Sequence, residues 1–205
     1  MCGRYYRDLS WAQYRERLTL IRPTPDQAPN CEPKHDIRPT TQQLVARPAD
    51  GGVELVDMRW GLVPFFHRKS LKEWKATTFN ARCETAATSP AFRGAFSRRR
   101  CLVPASGWYE WTGTKGSKIK HRFARADGDW IMFAGLWDKA TCGEETVESF
   151  TLLTTAAGED SQPYHDREPV VLEPEDWAAW LDSANDAAPL LACRPPGRFT
   201  VELAA

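Results

Sequence analysis

The sequence predicts an α+β fold: one domain, 1–205, with a mostly antiparallel β-sheet curled into a barrel-like core and flanking helices. Three observations predict it. Segments of strand character outnumber helical ones, several alternate around short Gly/Asp turns, and no internal repeat or composition break divides the 205 residues.

The elements follow in chain order. SWAQYRERLTL reads as a short helix, because Trp11, Tyr14 and Leu18 recur at helical spacing and Ser10 is a capping residue. A Pro-rich loop, IRPTPDQAPNCEP, comes next. QLVARPADGGVELVDMRW reads as two strands around ADGG. CETAATSPAFRGAF looks helical, with Pro90 forcing a break. CLVPASGWYEW has strand character, and KIKHRFARADGDWIMFAGLWDKA reads as a hairpin about ADGD. ESFTLLTTAA is a further strand. EPEDWAAWLDS begins as a helix should, with Pro174 in the first turn and acids at the N-terminus. The tail, APLLACRPPGRFTVELAA, is mixed.

Composition narrows the classes. Hydrophobic residues are 42% and charged residues 26%, which is ordinary for a globular protein with its own core. Lys+Arg and Asp+Glu are both 27, so no global field attracts nucleic acid and any such site must be a local patch. Arg93, Arg98, Arg99 and Arg100 in FRGAFSRRRC are one candidate patch; a solvated loop is the alternative. Nine Trp suggest a binding face, with core packing as the plainer account. The six cysteines, at 2, 31, 83, 101, 142 and 193, form no C-x-x-C pair, and the histidines have no zinc-ligand spacing. With no signal segment or transmembrane-length run, free thiols in a reducing, cytoplasmic setting are expected.

Cys2 raises a chemical question. Removal of Met1 makes it the N-terminus, and its α-amine and thiol then sit on adjacent carbons. No internal cysteine offers that pair. The plain alternative is a stray thiol on a frayed end.

Four stretches carry a family resemblance: MCGRYY at the start, FNARCETA at 79–86, PASGWYEW at 104–111 and HDREP at 165–169. MRWGLVP at 58–64 and LLTTAA at 152–157 fit as well. Together, from residue 2 to about Leu181, they resemble the SRAP family of SOS-response-associated peptidase-like, abasic-site processing proteins. The resemblance implies that Cys2, freed of Met1 by self-processing or by cellular removal, binds covalently to the aldehyde of an abasic site in single-stranded DNA. It assigns the rest of the site to Asn80, Glu110 and His165. Arg4 and Arg82 would hold phosphates, and Trp111 would lie against bases. Phe65 and Phe66 are further stacking candidates, and Arg98, Arg99 and Arg100 further phosphate candidates. A weak lyase activity on the abasic site is also implied.

The residue types suit that chemistry. An α-amine has a pKa of about 8, so a useful fraction is neutral near physiological pH, whereas a lysine sits at about 10.4. The amine gives an imine, and the thiol closes it to a five-membered thiazolidine at high effective concentration. Glu110, among Trp108, Tyr109 and Trp111, is the candidate acid for opening the sugar ring. Asn80 is expected to orient the α-amine, and His165 to shuttle protons.

Three departures from the family pattern stand out: His35 and Asp36 in place of a Tyr-Asn pair, Phe65-Phe66-His67 in place of Trp, and Glu168 in place of Met. Two other classes stay open: an N-terminal-nucleophile amidohydrolase using Cys2, and a non-covalent reader of modified DNA bases. No cofactor, metal or membrane partner is expected. The expected state is a monomer in the cytoplasm, at the nucleoid when bound to DNA.

Overall fold

In a computed structural model the described residues are 2–10, 12, 13, 16, 32–50, 52–114 and 116–204. Strands dominate. β1 (Tyr5–Arg7), β2 (Lys34–Ile37), β3 (Gln42–Ala49), β4 (Gly52–Trp60) and β5 (Asn80–Arg82) precede two short helices, α1 (Cys83–Ala86) and α2 (Arg93–Arg98). β6 (Arg100–Ala105), β7 (Gly107–Thr112), β8 (Ile119–Arg125), β9 (Ile131–Cys142) and β10 (Glu145–Ala156) follow. The chain ends with β11 (Arg167–Pro169), β12 (Val171–Leu172), α3 (Trp177–Leu181) and β13 (Phe199–Leu203).

The barrel closes through β10–β4–β3–β6–β9 and back to β10. A second sheet runs β13–β8–β7–β1–β2. Period-two alternation gives the shared strands two apolar faces. Cys101, Val103, Phe133 and Phe150 pack toward Tyr5, Trp108 and Phe123 of the second sheet. Leu102, Ala134, Leu136 and Leu153 pack toward Trp177 and Trp180. Trp108 stacks on Phe123 at 4.7 Å and meets Phe199 edge-on at 4.9 Å. Such aromatic pairs add about 0.5–1.5 kcal/mol each beyond area burial.

The pair of strands about ADGG is present, with Ala49 opposite Gly52. CETAATSPAFRGAF is helical in two pieces, α1 and α2, separated around Pro90. CLVPASGWYEW is two strands, β6 and β7. EPEDWAAWLDS starts with a 3-10 turn at Pro174–Asp176 and continues as α3, whose Trp180 indole donates to the Cys101 carbonyl at 2.8 Å. Ser10 does cap the first helix: its hydroxyl accepts from the Gln13 amide while the Gln13 side chain accepts from the Ser10 amide. Ala12, Gln13 and Glu16 are helical, whereas Trp11, Tyr14, Leu18 and residues 21–31 of the Pro-rich loop lie outside the described residues.

The hairpin about ADGD is corrected. β8 and β9 belong to different sheets. β8 pairs with β7 and with the C-terminal β13, Phe199 opposite Arg125 through Leu203 opposite His121. β9 pairs with β6 and β10. The reason lies in the residues: IMFAGL is buried on both faces, as a barrel strand must be, whereas β8 alternates. The local turn is real but redirects the chain between sheets.

Gly107 sits where three strands of the second sheet approach closely. A Cβ there would stand 1.9 Å from the Phe123 carbonyl oxygen and 2.4 Å from the Tyr6 hydroxyl. Only glycine lets β1, β7 and β8 approach this closely.

Candidate active site and nucleic-acid face

The chain's start is anchored. β1 lies between β7 and β2, with Tyr5 opposite Trp108 and Ile37. Cys2 is fully buried, and its thiol lies 3.6 Å from the Arg4 carbonyl. Asn80 opens β5, which runs parallel to β10 with Asn80 beside Leu152. The Phe79 carbonyl before it accepts from the Trp60 indole at 2.7 Å and from the Leu152 amide at 3.1 Å. From this rigid seat the Asn80 amide nitrogen donates to the Cys2 carbonyl at 2.7 Å. Asn80 thus holds residue 2 through its carbonyl, which refines the expected contact with the amine. Its other atom, Oδ1, is buried with no hydrogen-bond partner.

Glu110 lies on β7, 3% exposed. Burial pushes its carboxyl up to about 7, with the N-terminal charge opposing and Asp166 assisting. The Cys2 thiol is also held well above its ordinary value, by burial first and Glu110 second, with the N-terminal charge acting the other way. His165 is lowered by burial and then by the same N-terminal charge. Thiol, carboxyl and imidazole therefore share one electrostatic neighbourhood at the chain's start.

His165 is positioned by a compact turn. Its amide donates to the Ser161 carbonyl at 3.0 Å, and its Nδ1 accepts from the Arg167 amide at 3.0 Å. While Nδ1 accepts this bond, the neutral ring carries its proton on Nε2. Asp166, 83% exposed, stands 2.8 Å from the same Nδ1 and competes with the Arg167 amide for it, accepting whenever Nδ1 carries a proton.

Glu168 is turned to another task. It is buried, and its carboxylate accepts from the Gly158 amide at 3.0 Å. Its neighbours are Gly158, Ser161, Arg194 and Asp160. The departure at 168 therefore braces the turn that carries His165. Arg167 braces it further: its guanidinium grips the Glu84 carboxylate and donates to the Thr154 carbonyl at 2.6 Å.

Sequence reasoning missed His121. It stands opposite Glu110 in the β7–β8 ladder and is 9% exposed. Its Nε2 is 2.7 Å from the Thr112 hydroxyl, and its ring meets Tyr164 at 4.6 Å. It links the Glu110 strand to the residue before His165. Alternation counted from Trp108 and Phe123 points to this placement, but only once the β7–β8 register is known.

The expected DNA residues divide. Arg4 is half-buried, lies over Trp111 at 5.1 Å and pairs with Asp36 at 3.4 Å, so the departure at 36 partly neutralises it. Trp111 is half-buried and Arg82 is exposed, two residues after Asn80 on β5. Phe65 and Phe66 are 50% and 47% exposed and meet edge-on at 5.7 Å. The Phe65 amide donates to Asp138 at 3.0 Å, and the same carboxylate pairs with Arg99 at 3.1 Å. Arg98 is exposed beside Pro48, Val53 and Leu181.

Arg100 is corrected. It is 5% exposed, donates to the carbonyls of Phe96, Asp182 and Asn185, and lies over the Phe96 and Trp180 rings. The RRR run crosses from a helix end into β6, and the third arginine falls on the inward side. The cluster is three separate environments. Among the described residues no group of three or more His, Cys, Asp or Glu is arranged to hold a metal ion. No helix among them is long and apolar enough to cross a membrane.

Comparison with known proteins places these motifs. A family model described as "SOS response associated peptidase (SRAP)" matches residues 1–201. The chain is 30% identical to "Abasic site processing protein YedK" of Escherichia coli, covering 98% of this chain and 90% of that one. It is 29% identical to "Abasic site processing protein YoqW" of Bacillus subtilis, over 90% and 82%. It is also 34% identical to "Abasic site processing protein YMR114C" of Saccharomyces cerevisiae, over 72% of this chain but only 40% of that protein's length. A solved structure from Bordetella bronchiseptica matches with a TM-score of 0.82 at 29% identity, over 100% of both chains. One from Bacteroides thetaiotaomicron, at 21% identity, shares the fold with a TM-score of 0.85, over 98% of this chain and 91% of that one.

Proposed function

The chain belongs to the SOS response associated peptidase (SRAP) family, and we propose that it processes abasic sites in single-stranded DNA by bonding them covalently to Cys2. The observation that carries this reading is the convergence at the chain's start: Asn80 holds Cys2, while Glu110 and His165 share its electrostatic surroundings. The relatives named as abasic site processing proteins support it. In this reading residues 1–205 act as one SRAP-like domain.

Removal of Met1 frees the α-amine of Cys2. The Asn80 Oδ1, a buried acceptor with no partner, is available to orient that amine. Glu110, protonated for part of the time near neutrality, lends a proton as the closed sugar opens to its aldehyde. The amine adds to the aldehyde carbon, and loss of one water gives the imine. Cys2 is a thiol at rest, not a thiolate. Its sulfur bonds to the imine carbon and its proton goes to the nitrogen, closing the thiazolidine with all atoms balanced. The saturated carbon no longer acidifies the neighbouring C–H, so β-elimination and strand cleavage stop. Before closure, the imine is the species through which a weak lyase activity runs. Neutral His165, with its proton on Nε2, serves the sugar hydroxyls.

Arg4 and Arg82 contact phosphates, and Trp111, Phe65 and Phe66 offer stacking surfaces. The amidohydrolase reading is weaker, since it leaves Arg4, Arg82 and the half-buried Trp111 without a task. The test is incubation with single-stranded DNA holding one abasic site, then a denaturing gel. A heat-stable shifted band is expected. No band, with Met1 removed, contradicts the proposal.

A further inference from the structure

The outward face of the β13–β8–β7–β1–β2 sheet carries three cations set on three aromatic rings. The Arg4 guanidinium lies over Trp111 at 5.1 Å, the Lys120 ammonium over Tyr109 at 4.3 Å, and the Arg122 guanidinium over Tyr6 at 4.5 Å. The rings themselves adjoin, Tyr6 to Tyr109 at 5.2 Å and Tyr109 to Trp111 at 6.3 Å. Register explains the row. Trp111 is opposite Lys120 and Tyr109 opposite Arg122, and the Tyr109 amide donates to the Arg4 carbonyl at 3.0 Å. Alternation turns these side chains away from Trp108, Glu110 and His121.

The layers are ordered. Tyr6 and Tyr109 are buried at 1% and 7%, while the side chains of Arg4 and Arg122 remain 34% and 41% exposed. The rings are a floor that fixes the cations, and the cations are the surface. Lys120 and Arg122, two residues apart on one strand, are spaced about 7 Å along it. Two neighbouring acids, Asp36 at 3.4 Å from Arg4 and Glu202 at 4.0 Å from Arg122, are themselves 45% and 71% exposed. Exposed pairs of this kind are weak and yield readily to another anion. Past Arg122 the surface opens into a groove lined by Asp8, Asp129 and Arg125, the last already paired with Asp127 and Glu173, which ends the positive run.

We propose that Lys120 and Arg122 continue from Arg4 as a phosphate track, carrying the DNA strand away from the lesion along this sheet face. The inference rests on the function proposed above and extends it to residues outside the reacting site. A row of cations with one half-exposed ring at the end, Trp111, suits a sequence-blind single strand: phosphates meet the charges and a base meets the ring. Rings that hold the cations in place reduce the freedom lost on binding.

The test uses a single-stranded oligonucleotide bearing a tetrahydrofuran abasic analogue. This probe has no aldehyde, so it reads non-covalent binding alone and is independent of the Cys2 chemistry. Affinity is measured across a salt series. The K120Q/R122Q variant should flatten the log–log salt slope by about 1.4, at about 0.7 per lost phosphate contact. The K120R/R122K variant, with charge kept, should retain the wild-type slope. A wild-type slope in K120Q/R122Q overturns the track, as does an equal loss of slope in K120R/R122K. Failure of the wild type to crosslink an authentic abasic site would instead reject the proposed function and leave this measurement standing.

Discussion

The side-chain amide of Asn80 holds the carbonyl of Cys2 at 2.7 Å, joining the second residue of the chain to a strand that begins 78 positions later. A chain end is normally frayed. Here it is fixed from both sides, by β1 pairing and by this bond. An Asn80→Ala variant should therefore crosslink more slowly. A hydrogen bond worth about 0.5–1.5 kcal/mol corresponds to a loss of up to about tenfold. Single-turnover crosslinking checks it, and a wild-type rate would show that Asn80 does not position Cys2.

Glu110 should set a pH limit. Its carboxyl sits at about 7, so the acid form needed for ring opening is lost as pH rises through that value. The α-amine, at about 8, is more reactive in the same direction. The crosslinking rate should pass through a maximum between the two values. Glu110→Gln should be slower by about 10²–10⁴-fold and should lose the decline above 7. A profile unchanged by Glu110→Gln would remove Glu110 from the chemistry.

The same carboxyl has a stability cost of predictable sign. Its folded pKa is raised above the ordinary carboxylate value, so the folded state holds the proton longer than the unfolded chain. Its contribution is full below about 4.5 and lost as pH rises through about 7. Glu110→Gln should flatten that part of the stability profile, by at most about 3.5 kcal/mol. Denaturant titrations at several pH values measure it, and a wild-type decline in the variant would contradict the assignment.

Arg100→Ala should act on the fold and leave DNA binding alone. The side chain donates to three carbonyls and covers two rings, so its removal orphans buried acceptors. A loss of about 3 kcal/mol is expected, which for a chain of this size lowers Tm by about 6–12 °C. Its salt slope for DNA should match the wild type. A flattened slope with unchanged Tm would return Arg100 to the surface.

Much of this was legible in the residues, and the gaps have physical causes. The ADGG strand pair, the Pro90 break and the Pro174 helix start are local signals, and each appears where expected. The ADGD hairpin was misread because a turn sequence fixes a bend and does not choose the sheet that receives the next strand. Arg100 was misread because a run of like charges conceals the alternation that buries its last member. His121 went unseen because its significance depends on standing opposite Glu110, a register no single strand encodes. Cys2, Asn80, Glu110 and His165 were singled out from motifs alone, and the fold brings them into one neighbourhood.

The central claim is that amine and thiol of one residue join one carbon. Intact mass of the adduct with an abasic oligonucleotide tests it most directly. The predicted mass is protein lacking Met1 plus oligonucleotide minus one water, stable to heat. Cys2→Ala should give only a borohydride-trapped adduct and some strand cleavage. A heat-stable adduct whose protein still carries Met1 would contradict the account, because the amine would then be blocked and the thiol would be acting alone.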